Sequence, residues 1–67
     1  MTLKEWKITQ NIHSFRELAE KLGVNSSRNP ARLVQRWVQG DSIPREKHLK
    51  IIMRVTDGKV TPNDFIS

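Results

Sequence analysis

The sequence contains no cysteine, which excludes a disulfide framework and a thiolate metal site. A cysteine-free chain also suits a reducing compartment. No apolar run approaches the roughly 20 residues that a helix needs to cross a bilayer, so we expect neither a membrane span nor a membrane partner. The first residues lack the long apolar region of a secretory signal. Together these absences predict a cytoplasmic protein.

Acidic residues are scarce relative to basic ones. The 67 residues include 12 Lys and Arg against 7 Asp and Glu, which gives a net charge of +5. A positive field of this strength in so short a chain is typical of proteins that bind nucleic acid or an anionic membrane. The absence of a membrane segment favours nucleic acid. The length predicts a single domain, residues 1–67, with a small core.

Groups that could carry catalysis are missing as well. His13 and His48 are isolated histidines with no partner at metal-ligand spacing. Glu17 and Glu20 are close in sequence, but their neighbours are charged rather than apolar, so nothing there favours acid–base chemistry. The sequence has no nucleophile and base set, no Gly-rich phosphate loop and no HExxH. It therefore predicts no enzyme, no metal, no cofactor and no small-molecule effector.

A regular apolar period predicts a helix over residues 15–22. Ser14 precedes this period as an N-cap, and Gly23 follows it where helices often end in the left-handed conformation. We expect Val24 to return to the core. The apolar positions fall at i, i+3, i+4 and i+7 and are Phe15, Leu18, Ala19 and Leu22.

A second period predicts a helix over residues 30–39 that ends at Gly40. Asn29 and Pro30 mark its start, because Asn is a favourable N-cap and Pro is tolerated at the first helical position. We expect its aromatic residue, Trp37, to lie in the core. The predicted buried stripe is Leu33, Val34, Trp37 and Val38, and the predicted outer face is Arg32, Gln35, Arg36 and Gln39.

Two further helices have weaker signals. The capping-box spacing of Thr2 and Glu5 predicts a first helix over residues 3–10, with Trp6 in the core or at a dimer contact. Residues 44–56 form a predicted basic fourth helix. The residues expected to face inward in that helix are Leu49, Ile52 and Met53, with Val55 or Thr56 near its end.

The C-terminal residues predict a short tail. Lys59 and Val60 are expected to form a short extended piece, and residues 61–66 a last helical turn that places Phe65 and Ile66. These two side chains would pack either on the chain's own core or on a partner subunit. The predicted fold is thus an all-α bundle of four to five helices.

The second and third helices, with the enlarged turn 23–29 between them, are typical of a helix-turn-helix motif. In that motif the later helix is the recognition helix, which enters the DNA major groove, while the earlier helix crosses the backbone. The recognition helix here would be residues 30–39.

This stretch also resembles a known family. The run Phe15-x-x-Leu18-Ala19-x-x-Leu22-Gly23-Val24 resembles the first half of the helix-turn-helix of phage repressors, and Val34 and Trp37 match core positions of its recognition helix. The opening 2–6 and the ending 43–61 resemble small Cro-type regulators of the YdaS-like group. Asn25 to Asn29 depart from the family as additional residues in the turn. They would form a loop that touches the DNA backbone or would lengthen the recognition helix, and the Asn-Pro start favours the loop.

Candidate DNA contacts follow from the residue types on the motif. Arg32 and Arg36 can each donate two hydrogen bonds to guanine, and Gln35 can pair with adenine. The alternative is that these side chains form an ordinary solvent-exposed helix face. Asn29 and Ala31, at the helix start, would be neighbours in the groove. Candidate phosphate contacts, which could equally be caps or polar loop residues, are Ser14, Arg16, Ser27, Arg28, Ser42 and Arg45.

The sequence and the resemblance together predict a transcription regulator that binds double-stranded DNA sequence-specifically. The resemblance implies a Cro-like repressor, acting in a bacterial cytoplasm on the nucleoid. We expect a homodimer on an inverted repeat, with the fourth helix and residues 57–67 as its contact surface. Two alternatives remain: an excisionase-like architectural protein that binds direct repeats, and an antitoxin-type module whose apolar tail holds a protein partner.

Overall fold

The computed structural model describes residues 1–25 and 28–66, and the regular structure in these ranges is entirely helical. This confirms the all-α prediction. Five helices follow one another along the chain: α1 (Leu3–Thr9), α2 (Phe15–Leu22), α3 (Pro30–Gln39), α4 (Glu46–Val55) and α5 (Asn63–Ile66). The most extensive contact between helices joins α2 and α3.

The first two helices begin where their capping residues predict. The Thr2 hydroxyl accepts a hydrogen bond from the Glu5 amide at 3.1 Å, and the Glu5 carboxylate accepts one from the Thr2 amide at 2.8 Å. At the start of α2 the Ser14 hydroxyl accepts from the Glu17 amide at 3.1 Å. Gly23 ends α2 with a φ of 75°, so the predicted left-handed position is confirmed. These local bonds satisfy amides that a helix leaves unpaired.

The third helix has the predicted bounds, but its N-cap residue does not cap it as expected. Asn29 occupies the N-cap position, yet its side chain makes no capping hydrogen bond. Its ψ angle is 77°, whereas Thr2 and Ser14, which do cap, have ψ angles near 160°. Pro30 therefore defines the start, because its ring fixes φ and it has no amide to satisfy.

The fourth helix begins at Glu46, so the predicted start at residue 44 is wrong. Pro44 is buried in the linker instead of opening the helix, and Arg45 is still extended with a ψ of 165°. The prediction that Met53 faces inward is also wrong, because 39% of it is exposed. Thr56 takes that place, since it lies four residues after the fully buried Ile52 and therefore on the same face.

Lys59 and Val60 do not form the predicted extended piece. They belong to a tight turn in which Asp57 and Gly58 have φ angles of 56° and 78°. Val60 is fully buried, and its amide donates to the Thr56 hydroxyl at 3.2 Å. The predicted last helical turn is confirmed as α5, whose start is fixed by the Asp64 carboxylate, which accepts from the Thr61 amide at 2.8 Å.

The core draws on every helix except α5. Trp6 and Trp37 are 5% and 4% exposed, so both are core residues of the monomer. Phe15 lies at the edge of the core, where it is half-buried, and Phe65 of α5 also packs against it. The buried apolar side chains are Leu3, Trp6, Ile12, Leu18, Ala19, Leu22, Val24, Val34, Trp37, Ile52 and Val60.

Thr56 holds the C-terminal turn onto α4. Its side chain is buried, and its hydroxyl donates to the Ile52 carbonyl at 2.7 Å while accepting from the Val60 amide. Valine has nearly the same shape but no hydroxyl. We expect Thr56→Val to lower the free energy of unfolding by about 1–3 kcal/mol, because the Val60 amide stays buried without an acceptor. Urea unfolding followed by circular dichroism measures this.

Thr9→Val is the matched control. The Thr9 hydroxyl also donates to a carbonyl, that of Trp6 at 2.7 Å, but Thr9 is exposed and its hydroxyl accepts no buried amide. We expect its unfolding free energy to stay within about 0.5 kcal/mol of the wild type. Equal losses in the two variants would contradict the assigned role of Thr56.

Candidate nucleic-acid interface

An open groove of about 310 Å³ runs along the start of α3. Arg32 and Arg36 line it from the helix itself, and Arg28 and Asn29 line it from the segment that precedes the helix, with Leu33 as the apolar member. The structure thus brings together four of the residues predicted to contact DNA. We call this surface the arginine groove.

The arginines face away from the core because of the helical period. Arg32 precedes Val34 by two residues and Arg36 follows it by two, which places both about 160° from Val34 around the helix axis. Val34 is fully buried, so the two arginines point outward, and both are exposed. They lie one turn apart on one face of the helix.

Gln35 and Ala31 lie on the other flank of the helix. Both are half-buried, and neither lines the arginine groove. Gln35 lies about 100° from Val34 on one side, whereas Leu33, which does line the groove, lies about 100° away on the other. The structure therefore separates these two predicted base contacts from the arginines and leaves Gln35 less accessible than expected.

The groove is strongly positive. In the described parts of the chain the ion pairs lie elsewhere, between the Met1 ammonium and Asp64 and between Lys50 and Glu46. The first turn of α3 carries no acidic residue. The guanidinium donors of this groove are thus available to an external acceptor, and the positive end of the helix dipole adds to their field.

The remaining phosphate candidates are dispersed. Ser14 and Arg16 are exposed at the start of α2, where Ser14 is already used as a cap, and they do not line the arginine groove. Ser27 lies outside the described residues. Ser42 and Arg45 line a second, smaller cavity of about 190 Å³.

This second cavity, which we call the linker pocket, adjoins the arginine groove. Leu33 lines both of them. The linker that carries Ser42 and Arg45 is tied to the end of α3, because the Asp41 amide donates to the Arg36 carbonyl at 2.9 Å. The linker pocket is lined by Leu33, Trp37, Ser42, Ile43, Arg45 and His48.

Sequence reasoning missed His48. Its imidazole packs on Trp37 with the ring centroids 5.1 Å apart and the planes tilted by 52°. Burial lowers the pKa of His48, and the positive charges of Lys47 and Arg45 lower it further. The one available signal was its position three residues after Arg45, which places the two side chains near each other once α4 begins.

The two apolar residues near the C-terminus lie in different environments. Phe65 packs on the chain's own core and is half-buried, whereas Ile66 is 69% exposed. Phe65 thus contacts the chain's own core, which is one of its two predicted placements. Phe65 also borders a groove of about 300 Å³ that lies between α1, the end of α3 and α5.

Within residues 1–25 and 28–66, no three His, Asp or Glu side chains lie close enough to hold a metal ion. In the same ranges, the helices are too short and too polar to cross a membrane.

The comparisons with known proteins add no relative. No family model matches the chain, and neither the curated proteins nor the solved structures yielded a match. The resemblance to Cro-type regulators therefore stays a prediction.

The geometry of the groove predicts that its arginines contribute little to folding. Arg32 and Arg36 are exposed and make no ion pair with a described carboxylate. We expect Arg32→Gln and Arg36→Gln each to change the free energy of unfolding by less than about 0.5 kcal/mol. Thermal unfolding followed by circular dichroism checks this. A large loss of stability would show that these side chains hold the fold, and would weaken their assignment to a ligand.

Proposed function

We propose that this protein is a sequence-specific regulator of transcription that binds double-stranded DNA through α3. The arginine groove carries the proposal. It presents three guanidinium groups on one face, and Arg bound to guanine O6 and N7 is the commonest specific contact in the major groove. Solvated surfaces ordinarily mix acidic and basic side chains, whereas the polar side chains that line this groove are three arginines and the Asn29 amide.

The dimensions of α3 suit a major groove. Its 10 residues span about 15 Å, and an α-helix with side chains is about 10–12 Å wide, close to the width of about 12 Å of the major groove. Since α2 packs against α3, its exposed N-terminal turn with Arg16 would lie against the phosphate backbone, as the first helix of a helix-turn-helix does.

We further propose that the protein acts as a homodimer on an inverted repeat and works as a repressor. The chain measures 25 × 24 × 21 Å. Each copy is therefore narrower than the roughly 34 Å that separates the centres of successive major grooves on one side of DNA, so two copies can bind neighbouring grooves without overlapping. One copy offers few base contacts, and pairing doubles them. The exposed apolar side chains Met53, Val55 and Ile66 on α4 and the tail suit the surface expected to join the copies.

Selection from random duplexes with the purified protein tests the proposal, followed by a salt titration on the selected site. We expect a palindromic motif and an affinity that falls by at least about 10³ between 50 and 200 mM salt if six or more phosphates are contacted. A direct-repeat motif would instead favour an excisionase-like architectural protein. No enrichment at all would contradict DNA recognition and turn attention to a protein partner.

The arginines should read sequence, whereas a distant lysine should supply only charge. We expect Arg36→Ala to weaken binding to the selected duplex by about 1–3 kcal/mol and to a scrambled duplex much less. Lys50→Ala is the comparison, because Lys50 is exposed on α4 and pairs with Glu46 at 3.6 Å. It should weaken both duplexes about equally. Equal losses for both duplexes in Arg36→Ala would contradict the assignment of α3 as the recognition helix.

A further inference from the structure

We propose that the linker pocket binds a phosphate of the DNA backbone through Ser42, Arg45 and His48, and that His48 takes up a proton when it does so. This inference rests on the proposed function, because it takes the ligand to be a DNA strand. It adds a residue that sequence reasoning set aside as an isolated histidine. It also makes DNA affinity depend on pH.

The pocket has the chemistry of a phosphate site. Residues that carry a hydroxyl, a guanidinium and an imidazole, Ser42, Arg45 and His48, line one cavity of about 190 Å³. All three can donate a hydrogen bond to a phosphate oxygen, and Arg45 and a protonated His48 supply charge as well. Among the residues that the structure describes, no acidic side chain lines the cavity to compete for these donors.

The pocket is also held in place. Asp41 and Ser42 donate their amides to the Arg36 carbonyl at 2.9 and 3.4 Å, which fixes the start of the linker against the end of α3. Pro44 is buried just before Arg45. The buried Trp37 packs against the His48 ring and supports it. A phosphate would therefore meet donors that are already positioned.

Its location suits a strand that passes α3. The linker pocket and the arginine groove share Leu33, so a duplex with one edge in the groove would carry its backbone past the pocket. Contacts with the backbone set the register of a protein on DNA, whereas contacts with base edges set its specificity. The two surfaces thus have complementary tasks.

The charges around His48 decide the direction of the pH effect. Arg45 from the linker and Lys47 from its own helix are the charged groups that act on it, and both are positive; α3 contributes only the uncharged Leu33 and Trp37. Together with burial they hold the pKa of the free imidazole below its ordinary value, which favours the neutral form. A bound phosphate supplies the missing negative charge and favours the imidazolium.

The bound state therefore holds more protons than the free state. Affinity for DNA should rise as the pH falls through the pKa of the bound form, and should level off below the pKa of the free form. If binding raises the pKa by about one unit, the affinity gains about tenfold across this interval.

The test measures the affinity for the selected duplex at constant ionic strength between about pH 6 and pH 8. Wild type, His48→Gln and the control His13→Gln are compared, since His13 is the second histidine and lies exposed in the linker before α2. We expect wild type and His13→Gln to bind up to about tenfold more tightly at the lower pH, and His48→Gln to lose this dependence. The NMR titration of the wild-type imidazole gives the pKa directly, so the test does not depend on the folding of a variant.

The outcomes separate the two proposals. A His48 pKa that rises on adding duplex supports the pocket. Duplex binding with an unchanged His48 pKa, or with the same pH dependence in His48→Gln, would overturn the pocket and leave the proposed function standing. A His48 pKa that rises on adding inorganic phosphate but not on adding duplex would assign the pocket to free phosphate and overturn it as a DNA contact. No binding of any duplex at either pH would overturn both proposals.

Discussion

The packing of α2 against α3 is the contact on which the other features depend. Leu18, Ala19 and Leu22 of α2 are fully buried, and so is Val34 of α3, with Trp37 beside it. Because one face of α3 is committed to this contact, the period of the helix turns its arginines to the opposite face. The arginine groove thus follows from the core and needs no separate scaffold.

Local signals predicted α2 and α3 well, because each end of these helices is marked by a residue with a specific backbone preference. Gly23 and Gly40 adopt left-handed conformations that other residues resist, and Pro30 fixes the start of α3. The start of α4 could not be predicted in this way. Pro44 is as suitable for a first helical turn as for a linker, and only its burial in the folded chain decides between them.

In the candidate site, too, some features could be predicted from local sequence and others could not. The spacing of Arg32 and Arg36 guarantees that they share a face in any helix, so their proximity was predictable. The half-burial of Gln35 depends on which neighbours pack along the flank of α3, which the period alone does not specify. The contact of His48 with Trp37 joins residues 11 positions apart through the linker. No local pattern encodes such a contact, and an isolated histidine therefore looked uninformative.

Because the protein is small, a single residue can belong both to the core and to a binding surface. A domain of about 60 residues buries only about 60% of the surface of its unfolded chain, so few side chains are left to separate a binding surface from the core. Trp37 illustrates this, since it belongs to the core and forms a wall of the linker pocket. A charge gained by His48 would act at the edge of a rigid core and not on a movable loop. Its effect would therefore fall on the affinity for a ligand in that pocket, while the orientation of α3 stays fixed by its contact with α2.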